Sequence, residues 1–163
     1  MIGPPINPEL DPIVVDKLVQ SRGIKVVCGG TTSQIVSSHT GEQLTVTLNY
    51  ENPGIPPAAD IKGIDLVTEG VLTIGKTLDM LKRFPYMDRS EKVIALSKKD
   101  AASRLVRILL EESTEVRFLV GRAINPAHQN PEMPISLGLK LNLIKEIKAE
   151  LEKIGKIVNI EYF

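Results

Sequence analysis

The sequence predicts an α/β fold, a single three-layer domain over residues 1–163 with a mostly parallel sheet flanked by helices. Short apolar segments alternate with segments whose apolar residues recur at helical spacing, which is the pattern of strand–helix crossover units. The chain has 163 residues, close to the roughly 100–150 residues of a common domain. Its residues are 42% hydrophobic and 25% charged, a composition typical of globular proteins.

The first half of the chain begins with a helix signal. Asp11 followed by Pro12 predicts the start of a helix, since aspartate caps helices and proline suits the first helical position. Gly23 is placed to end this helix. Apolar or alternating patterns then predict strands at residues 24–28, 44–48 and 64–67.

Three later helices are predicted from apolar residues at helical spacing. The first has Ile74, Leu78 and Leu81 on its buried side. The second is capped by Asp100 and buries Ala101, Leu105, Val106 and Leu109. The third ends at Gly155 and buries Leu139, Leu143, Ile147, Leu151 and Ile154. Strands at residues 116–120 and 157–162 complete the α/β pattern.

Charge and cysteine content exclude several classes of protein. Twenty Lys and Arg residues balance twenty Asp and Glu residues. We therefore expect the protein to bind neither nucleic acid nor an anionic membrane surface. The single cysteine, Cys28, excludes an internal disulfide and a multi-cysteine metal site. No apolar run approaches the roughly 20 residues of a membrane helix, and the start lacks a signal-peptide pattern. We therefore expect a cytoplasmic protein without a bound metal or cofactor.

Segments that follow the predicted strands are the candidate functional positions. In open parallel sheets, ligands bind beyond the carboxyl ends of the strands. Four such segments are expected to meet at one edge. They are residues 3–5, 28–32, 68–70 and 121–128.

The stretch VVCGGTTSQI, residues 26–35, carries the candidate site of the second segment. Gly29 and Gly30 permit close backbone approach, and with Thr31, Thr32 and Ser33 they can form a nest of donors for an anion. The alternative is a simple strand-to-helix turn with a helix cap. Cys28 lies at the start of this stretch, and a buried, inert thiol is favoured over a reactive one.

Gly70 to Thr77 matches the phosphate-loop pattern G-x-x-x-x-G-K-[ST]. Bulky Leu72 and Ile74 stand where the backbone of such a loop wraps phosphate, and Ile74 belongs to the apolar face of a helix. The sequence therefore favours a helix here over nucleotide hydrolysis, with Lys76 in solvent.

The remaining candidate residues come from two strand exits. Glu69 and Gly70 follow one strand, and Arg122, Asn125 and His128 follow another. An acid, a base and an anion clamp can converge if these exits meet. The alternative is a proline-stiffened loop held together by hydrogen bonds of Asn and His side chains.

Three strings, VCGGTTSQIV, GIDLVTEGVLTIGKTL and FLVGRAINPAHQNP, resemble the carboxy-terminal module of certain stage II sporulation protein E family proteins. The catalytic part of that family is a protein phosphatase 2C-like serine/threonine phosphatase, and MIGPP resembles the point where the module follows it. The phosphatase active site uses aspartates in Asp-Gly and Gly-Asp-Asp settings to hold two metal ions. This sequence contains neither setting, so no catalytic residue is transferred.

The resemblance and the residues together predict a regulatory module attached to or associated with such a phosphatase. The module is expected to bind a small anionic ligand or a partner at Cys28, Gly29, Gly30, Thr31, Thr32, Glu69, Gly70, Arg122, Asn125 and His128. Two alternatives stay open. One is a free-standing enzyme that acts on a phosphorylated or carboxylated small molecule, and the other is a structural module that forms a homodimer.

Overall fold

A computed structural model describes residues 1–46, 59–123 and 135–163 of the chain. Within these ranges the helices are α1 (Asp11–Val19), α2 (Gly30–Thr40), α3 (Val71–Arg83), α4 (Arg89–Ser97), α5 (Ala101–Arg107) and α6 (Ile135–Lys153). The strands are β1 (Val26–Cys28), β2 (Thr45–Val46), β3 (Ala59–Asp60), β4 (Leu66–Thr68), β5 (Glu115–Val120) and β6 (Ile157–Tyr162). The predicted α/β class is therefore confirmed.

The sheet is mixed rather than purely parallel. β1 pairs with β4 in parallel, and β5 pairs with β6 in parallel. At the other edge, β3 runs antiparallel to β4, and β2 runs antiparallel to β3. The strands at the antiparallel edge, β2 and β3, have two residues each. The predicted site follows β1, β4 and β5, and each of these strands belongs to a parallel pair.

Met1 and Ile2 connect the two parts of the sheet. Ile2 forms parallel bridges to Cys28 in β1 and to Val120 in β5. Its amide donates to the carbonyl oxygen of Leu119 at 2.9 Å, and the nitrogen of Met1 donates to the carbonyl oxygen of Val26 at 2.7 Å. The order across the sheet is therefore β2, β3, β4, β1, Met1–Ile2, β5 and β6.

Side chains alternate between two apolar clusters, one on each face of the sheet. In β1, Val27 faces one cluster while Val26 and Cys28 face the other. Helices α3, α5 and α6 cover the second face, with Ile74, Leu105 and Ile144 among their buried residues. Helices α1 and α2 cover the first. These layers account for the continuous apolar character of β1 and β4, because both strands are covered on both faces.

Three predicted helix features are wrong. Helix α1 ends at Val19 with Gln20 as its C-cap, so Gly23 does not end it. Asp11 does not cap α1, because a 3₁₀ turn (Pro8–Leu10) precedes the helix and Asn7 caps that turn through the amide of Glu9. In α6, Leu139 and Ile154 are 42% and 51% exposed. The buried stripe is instead Lys140, Ile144, Ile147 and Leu151.

The predictions for Asp100 and Gly155 are confirmed. Asp100 caps α5 by accepting the amide of Ser103 at 3.0 Å, and Gly155 follows α6 with φ +82°. Helix α4 was not predicted, although Asp88 and Glu91 form a capping box at its start. In the described residues, no helix combines the length and apolarity that a membrane crossing needs.

We predict that two substitutions in α3 differ strongly in their effect on the free energy of unfolding. Ile74 is 4% exposed within the main cluster, while Lys76 is exposed. Ile74→Ala should lower the free energy of unfolding by about 2–4 kcal/mol through the cavity it leaves. Lys76→Ala should change it by less than about 0.5 kcal/mol. Urea unfolding of both variants tests this, and equal losses would contradict the helical arrangement.

Candidate ligand-binding site

A cleft of about 220 Å³ lies at the carboxyl ends of β1 and β4. Its walls include seven residues of the predicted site, brought together from two strand exits. These residues are Cys28, Gly29, Gly30, Thr31, Thr32, Glu69 and Gly70. The amino ends of α2 and α3 both open on this cleft, because each helix follows one of the two strands directly.

Gly29 forms the corner between β1 and α2. Its φ of +111° is a conformation that side chains other than glycine rarely adopt. Its amide donates to the carbonyl oxygen of Thr68 at 2.9 Å, and its own carbonyl oxygen accepts the amide of Ser33 at 2.9 Å. The corner is therefore held on one side by β4 and on the other by the first turn of α2.

The backbone conformation at Gly30, unlike that at Gly29, does not require glycine. Its φ is ordinary, and a Cβ built at this position meets no heavy atom within 4 Å. Glycine in a helix costs roughly 0.5–1 kcal/mol relative to alanine, so packing does not explain its presence. Because Gly30 lines the cleft, its missing side chain leaves that space open next to the amino end of α2.

Gly70 and Glu69 form the opposite wall. A Cβ at Gly70 would lie 3.5 Å from the Cα of Gly29, so the two strand exits are in contact. The Oε2 atom of Glu69 accepts the amide of Leu72 at 3.1 Å. This carboxylate therefore occupies the amino end of α3, where it is favoured by the helix dipole, and it brings negative charge to one side of the cleft.

Lys140 of α6 also lines the cleft, and sequence analysis did not identify it. It is 8% exposed, and its Nζ donates to the carbonyl oxygen of Gly121 at 2.6 Å. No carboxylate of the described residues lies within 4.0 Å of this ammonium group. Burial lowers the pKa of Lys140 from its ordinary value, because the charged form loses hydration.

The signal for Lys140 was present in the sequence. It occupies the first position of the stripe that Ile144, Ile147 and Leu151 continue, at helical spacings of four, three and four. A lysine on an apolar stripe is expected to be either partly exposed through its long side chain or functional. The stripe was assigned to Leu139 and Leu143 instead, one residue away, which placed Lys140 on the solvent side.

Cys28 is buried, and its thiol is not suited to nucleophilic chemistry. Burial raises its pKa, which keeps the thiol protonated at neutral pH. The predicted inert cysteine is therefore consistent with its surroundings. Thr32 is also buried, whereas Thr31 is exposed at the rim of the cleft.

Of the remaining predicted residues, the structure describes only Arg122, and it does not line the cleft. The amide of Arg122 donates to the carbonyl oxygen of Phe163 at 2.9 Å, and its guanidinium lies 6.0 Å from the ring centre of Tyr162. Phe163 follows β6, which lies on the side of β5 away from the cleft. Asn125 and His128 lie outside the described residues.

The phosphate-loop pattern does not form a loop. Residues 71–77 belong to α3, and the hydroxyl of Thr77 is buried and donates to the carbonyl oxygen of Thr73 at 2.8 Å. The hydroxyl that would hold a metal ion in a phosphate loop is therefore used in a hydrogen bond within its own helix. In the described part of the chain, no group of three or more His, Cys, Asp or Glu side chains is placed to bind a metal.

Comparison with protein-family models, curated proteins and solved structures finds no significant match to this chain. The resemblance to the stage II sporulation protein E family therefore stays a prediction from sequence.

We predict that Lys140→Met removes a pH-dependent part of the stability. The pKa of Lys140 is lowered from 10.5 in the folded chain, so between these two pKa values the unfolded state binds the additional proton. Stability then rises with pH across this window. The wild-type free energy of unfolding, minus that of the variant, should increase from neutral pH to pH 10.5 in urea titrations. If this difference in free energy of unfolding stays constant with pH, burial does not destabilise the charged form of Lys140.

Proposed function

We propose that the chain is a non-catalytic regulatory module that binds a small anionic ligand in the cleft between α2, α3 and α6. The observation that carries this proposal is Lys140, a buried ammonium group that lines the cleft and has no carboxylate partner among the described residues. A buried charge is unfavourable unless it is compensated. An anion bound in the cleft supplies that compensation.

The first turn of α2 adds a second source of positive potential. The amino end of a helix carries a partial charge of roughly +0.5 and amide groups without intrahelical acceptors. Gly30 leaves this end open to the cleft, since no side chain covers it. The combination of helix amides and an ammonium group suits a phosphate or carboxylate.

Glu69 restricts the choice of ligand. Its carboxylate faces the same cleft and repels a second negative charge, unless a ligand hydroxyl donates to it. We therefore expect a ligand that carries an anionic group toward Gly30 and Lys140, and a hydroxyl toward Glu69. A sugar phosphate or a hydroxy acid fits this description better than inorganic phosphate does.

The biological setting rests on the sequence resemblance. It supports attachment to, or association with, a stage II sporulation protein E-like serine/threonine phosphatase, in the cytoplasm. Ligand binding in the module would then regulate the phosphatase. A homodimer of the module is compatible with this role.

A free-standing enzyme is the second candidate, and the lowered pKa of Lys140 favours it. A lysine with a lowered pKa is a better nucleophile and proton acceptor than an ordinary one. Such an enzyme would act on the same class of ligand, a phosphorylated or carboxylated small molecule. It differs from the regulatory module by consuming the ligand that the cleft holds.

We predict that a sugar phosphate binds and that Gly30→Val and Lys140→Met each weaken binding by at least tenfold, about 1.4 kcal/mol. The valine fills space next to the helix end, and the methionine keeps the shape of lysine without its charge. Isothermal titration calorimetry with phosphate, sugar phosphates and nucleotides measures the affinities.

Two controls separate binding from folding. Gly75→Val also places a side chain where a Cβ meets nothing within 4 Å, but outside the cleft. Arg122→Ala removes a cation that the structure places elsewhere. Both should leave the affinity unchanged, and equal affinity in all five proteins would contradict the proposed site.

We predict that the chain alone shows no manganese-dependent hydrolysis of p-nitrophenyl phosphate or phosphoserine peptides. No carboxylate cluster suited to two metal ions is present in the described residues. Turnover that a chelator abolishes would overturn the non-catalytic assignment. Consumption of a bound sugar phosphate without metal, lost in Lys140→Met, would favour the enzyme instead.

A further inference from the structure

Helix α4 and the turn before it leave large apolar side chains in solvent. Tyr86 is 90% exposed, and Val93 and Ile94 are 63% and 59% exposed. The one residue of α4 that is buried is the small Ala95, with Leu96 half-buried beside it. A surface helix normally turns its large apolar residues toward the core, so the arrangement in α4 is the reverse of the usual one.

The exposed residues of α4 share its outward side. Residues three or four apart lie on the same side of a helix, which groups Arg89 with Val93, and Ser90 with Ile94 and Ser97. All five are exposed, and we call them the α4 face. None of the five carries a carboxylate, and none of them lines the cleft between α2, α3 and α6.

Local hydrogen bonds explain how α4 forms although this face is not buried. The side chain of Asp88 accepts the amide of Glu91, and the side chain of Glu91 accepts the amide of Asp88, both at 2.9 Å. This capping box stabilises the helix at its amino end without help from Val93 or Ile94. Neighbouring apolar side chains that the fold leaves in solvent are typical of a surface that contacts another molecule.

The surroundings of the α4 face are basic. Residues 83–99 contain five cations and two carboxylates, although the charges of the whole chain balance. No carboxylate of the described residues lies within 4.0 Å of the side-chain nitrogens of Arg83, Arg89, Lys98 or Lys99. The two carboxylates of this segment are those of the capping box. Cations without ion-pair partners therefore flank the apolar residues of the face at both ends of the helix.

We propose that the α4 face binds an amphipathic helix of a partner protein, with acidic residues on both sides of its apolar stripe. Apolar residues of the partner, at helical spacing, pack against Val93 and Ile94, as in other helix-to-helix contacts. Acidic residues meet Arg89 at one end and Lys98 at the other, where the charges are complementary. A partner strand is not suited to this surface, because the backbone groups of a helix are bonded within the helix.

An anionic membrane also supplies negative charge, but it fits the α4 face less well. Helices that lie on membranes have a broad apolar face of residues such as Leu, Phe and Trp, whereas the apolar part of this face consists of two β-branched residues. Asp88 and Glu91 stand at the amino end of the face and repel anionic lipid. A protein helix avoids this repulsion by placing a neutral or basic residue opposite them.

The test uses the whole chain and an acetylated, amidated peptide of alanine, leucine and glutamate. Its leucines recur every third or fourth residue, and its glutamates lie on both sides of this stripe. We expect the peptide to shift the NMR signals of the Val93 and Ile94 amides. A peptide with lysine in place of each glutamate should bind about tenfold more weakly, because it meets the cations of the face with like charge.

Two matched variants identify the apolar contact. Ile94→Gln removes an exposed apolar side chain and keeps a residue that favours helices. It should weaken binding of the glutamate peptide by about fivefold or more, which is an ordinary loss for an apolar contact at an interface. Ile13→Gln makes the same change in α1, at a position with a similar exposure of 56%, and should leave the affinity unchanged.

A charge reversal tests the cations. Lys98→Glu together with Lys99→Glu alters exposed residues beyond the end of α4. This variant should bind the glutamate peptide more weakly than the wild type does, and the lysine peptide more tightly. Equal affinities for both peptides in both proteins would show that charge does not select the partner, and this would contradict an acidic partner.

Other results would also overturn the proposal. One is a glutamate peptide that does not bind, or that binds Ile94→Gln as tightly as the wild type. Another is binding to vesicles of phosphatidylcholine and phosphatidylserine in equal amounts, lost in Ile94→Gln, without peptide binding, which would assign the face to a membrane. A dimer in light scattering that Ile94→Gln dissociates would assign it to a second copy of the chain.

Discussion

Parallel pairing of β1 with β4 holds Cys28 level with Thr68, and the arrangement of the cleft follows from this register. Both strands are followed directly by a helix, so the same pairing brings the amino ends of α2 and α3 together. The two strand exits are in contact there, since a Cβ at Gly70 would lie 3.5 Å from the Cα of Gly29. A slip of one residue would exchange the two faces of β1 and move Val27 out of its own apolar cluster into the opposite one, so the packing on both faces fixes the geometry of the site.

Charge in the cleft is unevenly placed, and the proposed choice of ligand depends on this asymmetry. Lys140 is buried and bonded to a carbonyl oxygen, whereas Glu69 is only half-buried and already bonded to the amide of Leu72. Electrostatic interactions are stronger for the more buried group, because less water screens it. The proposed anion is therefore assigned to the Lys140 side, away from Glu69, whose carboxylate bonds to a helix amide at the other side of the cleft.

Sequence reasoning identified the strand exits but not all the side chains that meet there. The exits of β1 and β4 were predictable because alternating strands and helices place consecutive exits on one edge of a sheet. Lys140 was missed because apolar Leu139 and Ile154 suggested a stripe one residue away, and only packing against the sheet selects the correct face. Nothing in the sequence indicated that Arg122 lies away from the cleft, because its bond to Phe163 and the position of its guanidinium over Tyr162 are long-range contacts. Asn125 and His128 lie outside the described residues.

The central claim is that Gly30 and Lys140 act on the same bound anion, and nuclear magnetic resonance tests it most directly. Labelled protein is titrated with a sugar phosphate while the amide of Gly30 and the side-chain signals of Lys140 are followed. The account predicts that both shift along one binding curve, and that the pKa of Lys140 rises in the complex because the anion stabilises its charged form. Saturating ligand that leaves both signals, and the pKa of Lys140, unchanged would contradict it.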